Sequence, residues 1–200
     1  MIDLHSHSTF SDGSFTPREL AKHARDLGLS AVALTDHDTT AGLEQFMKAC
    51  EEYGIIGVPG VEISVDVSGG TMHVLGYFIN SADDGLGNML KRIRSGREDR
   101  NIEILRKLNS LGMSLTFDEV KAFAAEDVVG RPHFAMAMIR KGYVASNVDA
   151  FDLYLGKGKA AYAERYRLSA SDSIAAIINA GGVAVLAHPF TLNLGRPSLR

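Results

Sequence analysis

Five short stretches of this chain carry residues able to do chemistry. They are Asp3-Leu4-His5-Ser6-His7, Ser11-Asp12-Gly13, Thr35-Asp36-His37-Asp38, Gly60-Val61-Glu62 and Ala187-His188-Pro189. Each places His, Asp or Glu at the end of an apolar run or just after one. Neutral imidazoles and carboxylates together are the donor set of a cluster of divalent metals. His5 and His7 are two apart, so on an extended segment they point to the same side. Glu62 has two oxygens and can bridge metals about 3.5–4 Å apart. Water held at such a pair loses a proton near neutral pH, since one zinc alone lowers a water pKa to about 7. The hydroxide would attack phosphorus in line, and the metals would stabilise charge on the phosphoryl oxygens. Glu62, His188 and Asp36 are the residues expected to carry that chemistry. Asp36 and Asp38 are expected to orient ligand imidazoles.

The elements that must position these groups follow from the pattern. Ile2 to Leu4 is a short strand ending at His5. Thr16 caps a helix, Pro17 fits its first turn and Glu19 closes a capping box. Leu20, Ala24 and Leu27 share its core stripe, and Gly28 suits a left-handed exit. Ala31 to Leu34 is a buried strand. Leu43, Met47 and Cys50 mark the next helix face. Ile55 to Val61 leads to Glu62, and Ser68-Gly69-Gly70 turns the chain into a strand over Met72 to Ile79. If such strands run parallel around a barrel, their ends gather at one mouth.

From about Asp83 to Arg165 the pattern becomes helical. Leu86, Leu90 and Ile93 share one face, then Ile104, Leu105, Leu108 and Leu111. Thr116 and Glu119 form a second capping box, and Arg131-Pro132 starts a helix running to Gly142. The βα rhythm returns with Ile174, Ile177, Ile178 and Gly181-Gly182, and the strand Val183 to Leu186 delivers His188. The expected organisation is a barrel part over 1–82, a helical insertion over 83–165 and more barrel over 166–200. Such a barrel should continue, so the chain is expected to stop before its last units.

Composition sets modest bounds. A net charge of −3 with 22% charged residues announces no bulk affinity for nucleic acid. Cys50 is the single cysteine, which excludes an internal disulfide framework and fits a reducing compartment. No signal peptide and no run long enough to span a bilayer is visible. The expected location is the cytoplasm.

Together the five stretches resemble the PHP family, named for polymerase and histidinol phosphatase. The resemblance is closest to its standalone phosphoesterases that act on nucleoside bisphosphates or RNA 5′ ends. His73-Val74-Leu75-Gly76-Tyr77 and Gly130-Arg131-Pro132-His133-Phe134 add to it. The resemblance implies an α/β fold, a distorted (β/α)7 TIM-like barrel with a helical insertion. It implies two or three divalent ions, Mn²⁺, Zn²⁺, Mg²⁺ or Fe²⁺. By resemblance His5, His7 and Glu62 hold the first, Glu62 bridges to a second held by His73 and His188, and Asp12 and His37 hold a third. Many relatives have His where this chain has Asp12. That makes the site harder and more anionic, favouring Mn²⁺ or Mg²⁺. The family's late Asp-x-His motif is not found within these 200 residues.

The implied enzyme is a metal-dependent phosphoesterase acting on nucleotides or short RNA 5′ ends, with no membrane and no obligate protein partner. Histidinol-phosphatase-like monoester hydrolysis is the alternative within the class. An amidohydrolase-type metal enzyme also starts with His-x-His, but no Lys sits at a strand end here. A catalytically silent metal-binding module is the third alternative. Arg131 and His133 open a helix whose N-terminus suits an anion, though the motif also serves as a plain helix start. Lys91, Arg94, Arg97 and Arg100 recur every three residues. Such a stripe is usually a solvated face; Arg94 and Arg97 are the candidates for phosphate contact. His23 reads as a packing or surface residue of its helix, and Cys50 as an inert packing residue.

Overall fold

The computed structural model describes residues 1–67, 72–124 and 129–192. The Ser68-Gly69-Gly70 turn lies outside them. Two compact units form, one of Met1–Ile93 with the chain from Arg167 onward, the other of Arg94–Tyr166.

The first unit is built on five strands in the order β1-β2-β3-β4-β5. These are β1 (Ile2–Ser6), β2 (Ala31–Leu34), β3 (Ile56–Val65), β4 (Met72–Tyr77) and β5 (Val183–Leu186). The strands β1, β2 and β3 run parallel. From Gly60 onward β3 turns from β2 to pair antiparallel with β4, which pairs antiparallel with β5. The sheet is therefore mixed rather than all parallel. The physical reason is the short link between β3 and β4, which lacks the dozen or so residues a parallel crossover needs. Reversal does not scatter the candidate residues. His73 stands at the start of β4, opposite Ser64 near the end of β3, so it lies at the same sheet end as the residues that follow β1, β2 and β5.

Helices α1 (Pro17–Asp26) and α2 (Leu43–Tyr53) make the parallel crossovers. Thr16 and Glu19 form the expected capping box, and Gly28 takes the left-handed conformation. Leu27 is not on the core stripe. It caps the helix C-terminus and is 65% exposed, because the last turn has passed beyond the sheet. Leu20, Ala21, Ala24, Leu43, Phe46 and Cys50 cover the sheet, with Val32, Leu34, Val61 and Ile63 facing them in one core. Helix α7 (Ala170–Asn179) packs on β4 and β5 through Ile177, while Ile174 and Ile178 stay exposed. Gly76 is required there, because a Cβ would press on the Ile177 side chain.

Helix α3 (Asp84–Ser110) starts in the first unit and continues in the second. The second unit adds α4 (Phe117–Lys121), α5 (Arg131–Arg140), α6 (Asn147–Ala150) and one π turn, Phe151–Leu155. Ile104, Leu108, Phe134, Met138 and Leu155 form its core. Thr116 and Glu119 cap α4 reciprocally. The basic stripe is not a uniformly solvated face. Lys91 and Arg94 are exposed, but Arg100 is buried against the Asn101 side chain and the Val129 carbonyl.

Candidate metal centre

Glu62 is the hub. It lies within β3, 1% exposed, and its backbone is pinned to the chain after β2. Its N–H donates to the Asp36 carbonyl at 3.2 Å, and its own carbonyl accepts from the Asp38 N–H at 2.9 Å. Five imidazoles surround the carboxylate. His73 Nδ1 and His188 Nε2 approach Oε1 at 2.8 and 2.9 Å. His5 Nε2, His7 Nε2 and His37 Nδ1 approach Oε2 at 3.0, 3.2 and 3.3 Å. The five imidazoles come from the ends of three strands, β1, β2 and β5, and the start of a fourth, β4, all half-buried.

Asp12 stands on the outer side. Its oxygens lie 3.6 Å from His7 Nδ1 and 3.6 Å from His37 Nε2, the nitrogens turned away from Glu62. Gly13 makes this loop possible, since a Cβ there would run into the His7 carbonyl. Asp36 is buried and meets serines rather than an imidazole. It accepts from Ser8 N–H at 2.7 Å, Ser8 Oγ at 2.6 Å and Ser11 Oγ at 2.6 Å. It therefore ties the β1–α1 loop to the end of β2. Asp38 accepts from the Ser64 N–H and hydroxyl at 2.8 and 3.0 Å, and its backbone φ of 55° is left-handed. Sequence reasoning missed Ser8, Ser64 and Thr191. Ser64 was detectable, because it is two residues beyond Glu62 on the same strand face.

Electrostatics single out the same hub. Burial opposes the Glu62 charge, but hydrogen bonds from His7 and His73, the attraction of His37 and a hydrogen bond from His5 hold it far below the usual carboxylate range. Burial pulls the His7 pKa down, yet Glu62, Asp12 and Asp36 outweigh it and the net shift is upward. His37 is lowered, chiefly by burial.

Two observations test whether a cation fits. A carboxylate oxygen offers about two lone pairs, yet three ring nitrogens crowd Oε2. One of them, His37 Nδ1, is buried without a hydrogen-bond partner. At Oε1 two ring nitrogens, His73 Nδ1 and His188 Nε2, lie at 2.8 and 2.9 Å, and the other His188 nitrogen, Nδ1, is 3.2 Å from the Thr191 hydroxyl. Five imidazole nitrogens and two carboxylate oxygens converge here, a donor set that suits a divalent cation. Among the described residues two three-donor sets form, His5–Glu62–His188 and His7–His37–Glu62. They share Glu62, so the carboxylate spans both. They pair His5 with His188 and His7 with His37, where the family resemblance pairs His5 with His7. His73 lies beside the first set, 3.3 Å from His188 Nε2.

Arg94, Arg97, Arg131 and His133 belong to the second unit. The Arg131 guanidinium covers the rings of Phe151 and Tyr162 and reaches the Leu155 carbonyl at 3.4 Å. His133 Nδ1 accepts from the Gly130 N–H at 2.9 Å, capping α5, and burial lowers its pKa.

A mixed α/β sheet with a His-rich carboxylate hub at one end describes a hydrolytic metal fold. The family model for the PHP domain matches residues 3–164. A 5′-3′ exoribonuclease of Haemophilus influenzae is 37% identical over 96% of this chain and 70% of its own length. A 3′,5′-nucleoside bisphosphate phosphatase of Chromobacterium violaceum is 37% identical over 98% of this chain and 69% of its own. Among solved structures, an amidohydrolase from C. violaceum with bound sulfate and no metal superposes with a TM-score of 0.81 at 36% identity, covering 99% and 70% of the two chains. A Bifidobacterium adolescentis chain described as a metal-dependent phosphoesterase gives 0.78 at 34%, covering 99% and 72%. The chain belongs to the PHP domain family.

Proposed function

We propose that this chain is a metal-dependent phosphoesterase that hydrolyses phosphate esters of nucleotides or short RNA 5′ ends. The observation that carries this is the convergence of five imidazoles on one buried carboxylate, Glu62. His5, Glu62 and His188 would hold one ion, and His7, His37 and Glu62 another, with His73 and Asp12 beside them. When bound, such ions supply a nucleophile at neutral pH and a clamp for the phosphoryl charge. The protein's part is to hold the donors. Glu62, held far below the usual carboxylate range by its imidazoles, supplies the negative charge. Thr191 holds the His188 ring through Nδ1, which turns Nε2 toward Glu62. Asp36, through Ser8 and Ser11, sets the path of the loop that carries His7 and Asp12.

The names of the relatives support a nucleotide or RNA substrate, and the sulfate bound by one relative is the shape and charge of a phosphoryl group. We read the five strands as part of a distorted (β/α)7 barrel, the helical unit as a substrate-selecting insertion, and the cytoplasm as the compartment. Among the described residues no helix is long and apolar enough to cross a membrane. Arg131 and His133, with Arg94 and Arg97, are proposed to receive a second phosphate. The fork of Arg131 suits it, though its stacking on Phe151 and Tyr162 also serves the fold.

The test is phosphate release from a nucleoside 3′,5′-bisphosphate with and without chelator, in wild type and Arg131→Ala. Chelator should stop turnover. Arg131→Ala should raise KM for the bisphosphate about ten- to a hundredfold, the loss of one charge-assisted hydrogen bond, while sparing a small generic ester. Turnover that survives chelation refutes the metal-dependent reading. Equal loss on both esters assigns Arg131 to the fold alone.

A further inference from the structure

Phe190 is 80% exposed, which gives up the burial that a large aromatic ring normally gains on folding. A single exposed apolar residue usually needs no explanation. The position of this one does. It follows His188 by two residues, on the 3₁₀ turn Pro189–Leu192. Its ring centroid is 6.1 Å from that of His188, at 59°. His188 in turn stacks on His5 at 5.7 Å and 19°. Both imidazoles touch the Glu62 carboxylate. His5 and His188 thus stand side by side at the centre, and the Phe190 ring next to His188 is nearly bare. The turn holds Phe190 there, because the Thr191 hydroxyl bonds both to the His188 carbonyl and to its ring.

We propose that Phe190 is a stacking platform for the nucleobase of the substrate, and so a specificity-determining residue. This rests on the nucleotide reading above. A phosphoryl group held at the Glu62 centre leaves the rest of the molecule to extend into solvent. A flat π surface beside His188 favours a base over a bare sugar, and every base has a π face. Stacking is sequence-tolerant, so the preference is for a nucleoside over no nucleoside rather than for one base. Phe190 forms no bond to the reacting atoms. Its effect falls on binding, not on the chemical step.

The chain contains no tryptophan, which makes the test direct. Phe190→Trp puts a lone fluorophore on the proposed platform. Adenosine 5′-monophosphate should quench it saturably, and ribose 5-phosphate should not. In parallel, Phe190→Ala should raise KM for adenosine 5′-monophosphate about five- to a hundredfold, with kcat, metal content and ribose 5-phosphate kinetics unchanged. Phe190→Trp should restore the wild-type KM. No quenching by the nucleotide, equal quenching by both compounds, or an unchanged KM in Phe190→Ala overturns the platform. Quenching by the nucleotide, with no turnover of either it or the nucleoside 3′,5′-bisphosphate, upholds the platform and refutes the phosphoesterase reading instead, so the two fail separately.

Discussion

Replacing Asp36 by Ala removes the acceptor of three hydrogen bonds in a site that is 2% exposed. Two of the donors are serine hydroxyls, which can rotate toward other acceptors. The third, the Ser8 N–H, cannot. Hydrogen bonds to a charged group contribute about 1.5–3 kcal/mol each, and an orphaned buried donor costs about 1–3 kcal/mol. Allowing the hydroxyls to recover part of their share, the loss is about 3–5 kcal/mol. In a chain of this length 1 kcal/mol moves Tm by about 2–4 °C, so the expected drop is about 6–20 °C. Asp36→Asn keeps the shape and one acceptor oxygen, which can serve both the Ser8 N–H and Ser11. It loses mainly the charge, about 1–2 kcal/mol, and should fall by less than half as much. Calorimetry in the presence of chelator removes metal linkage from the comparison. A drop under about 2 °C for Asp36→Ala, or equal drops for Ala and Asn, would refute the claim that this carboxylate ties the loop to β2.

Other outcomes follow from single contacts. Cys50 is buried and its thiol is pushed up to about 11 by burial, so it should resist a thiol reagent at pH 8 until the chain is unfolded; rapid labelling of native protein contradicts this. Gly13→Ala should displace the loop from the His7 carbonyl and lower metal affinity, measured by equilibrium dialysis; unchanged affinity contradicts the close approach. His133 caps α5 only when Nδ1 is unprotonated, and burial lowers its pKa below the ordinary 6.5. Its stabilisation is therefore complete above about pH 6.5 and is lost as pH falls through the lower folded value. His133→Gln, which keeps an acceptor at that position, should show a shallower fall in unfolding free energy below pH 6.5; parallel curves contradict the cap.

Much of the cluster was legible because strands that lead into His, Asp or Glu announce themselves. Apolar runs such as Ala31 to Leu34 and Val183 to Leu186 end in polar residues that no core requires. Local rules also carried the helix starts, where Thr16 and Thr116 each face a Glu three residues on. The mixed sheet was not legible in the same way. Strand direction depends on whether the link is a hairpin or a crossover, and the alternation within Met72 to Tyr77 is the same either way. Partition of the donors was likewise hidden. Spacing puts His5 and His7 on one side, and their rings do stand 5.1 Å apart, yet the three-donor sets join His5 to His188 and His7 to His37. The reach of Asp36 to serines instead of an imidazole depends on a loop fold that composition does not encode. Arg100 was read with a solvated stripe for the same reason, since beside its helix neighbour Asn101 it meets the Val129 carbonyl from outside the helix.

The most direct measurement is the divalent metal content per chain, by elemental analysis after exhaustive dialysis, of wild type and Glu62→Gln. The substitution keeps the shape of the hub and removes the charge that faces all five imidazoles. Wild type should retain bound metal and the variant should lose most of it while keeping its fold by circular dichroism. Equal metal content in the two folded proteins, or none in the wild type, would contradict the assignment of Glu62 and its histidines as a metal centre.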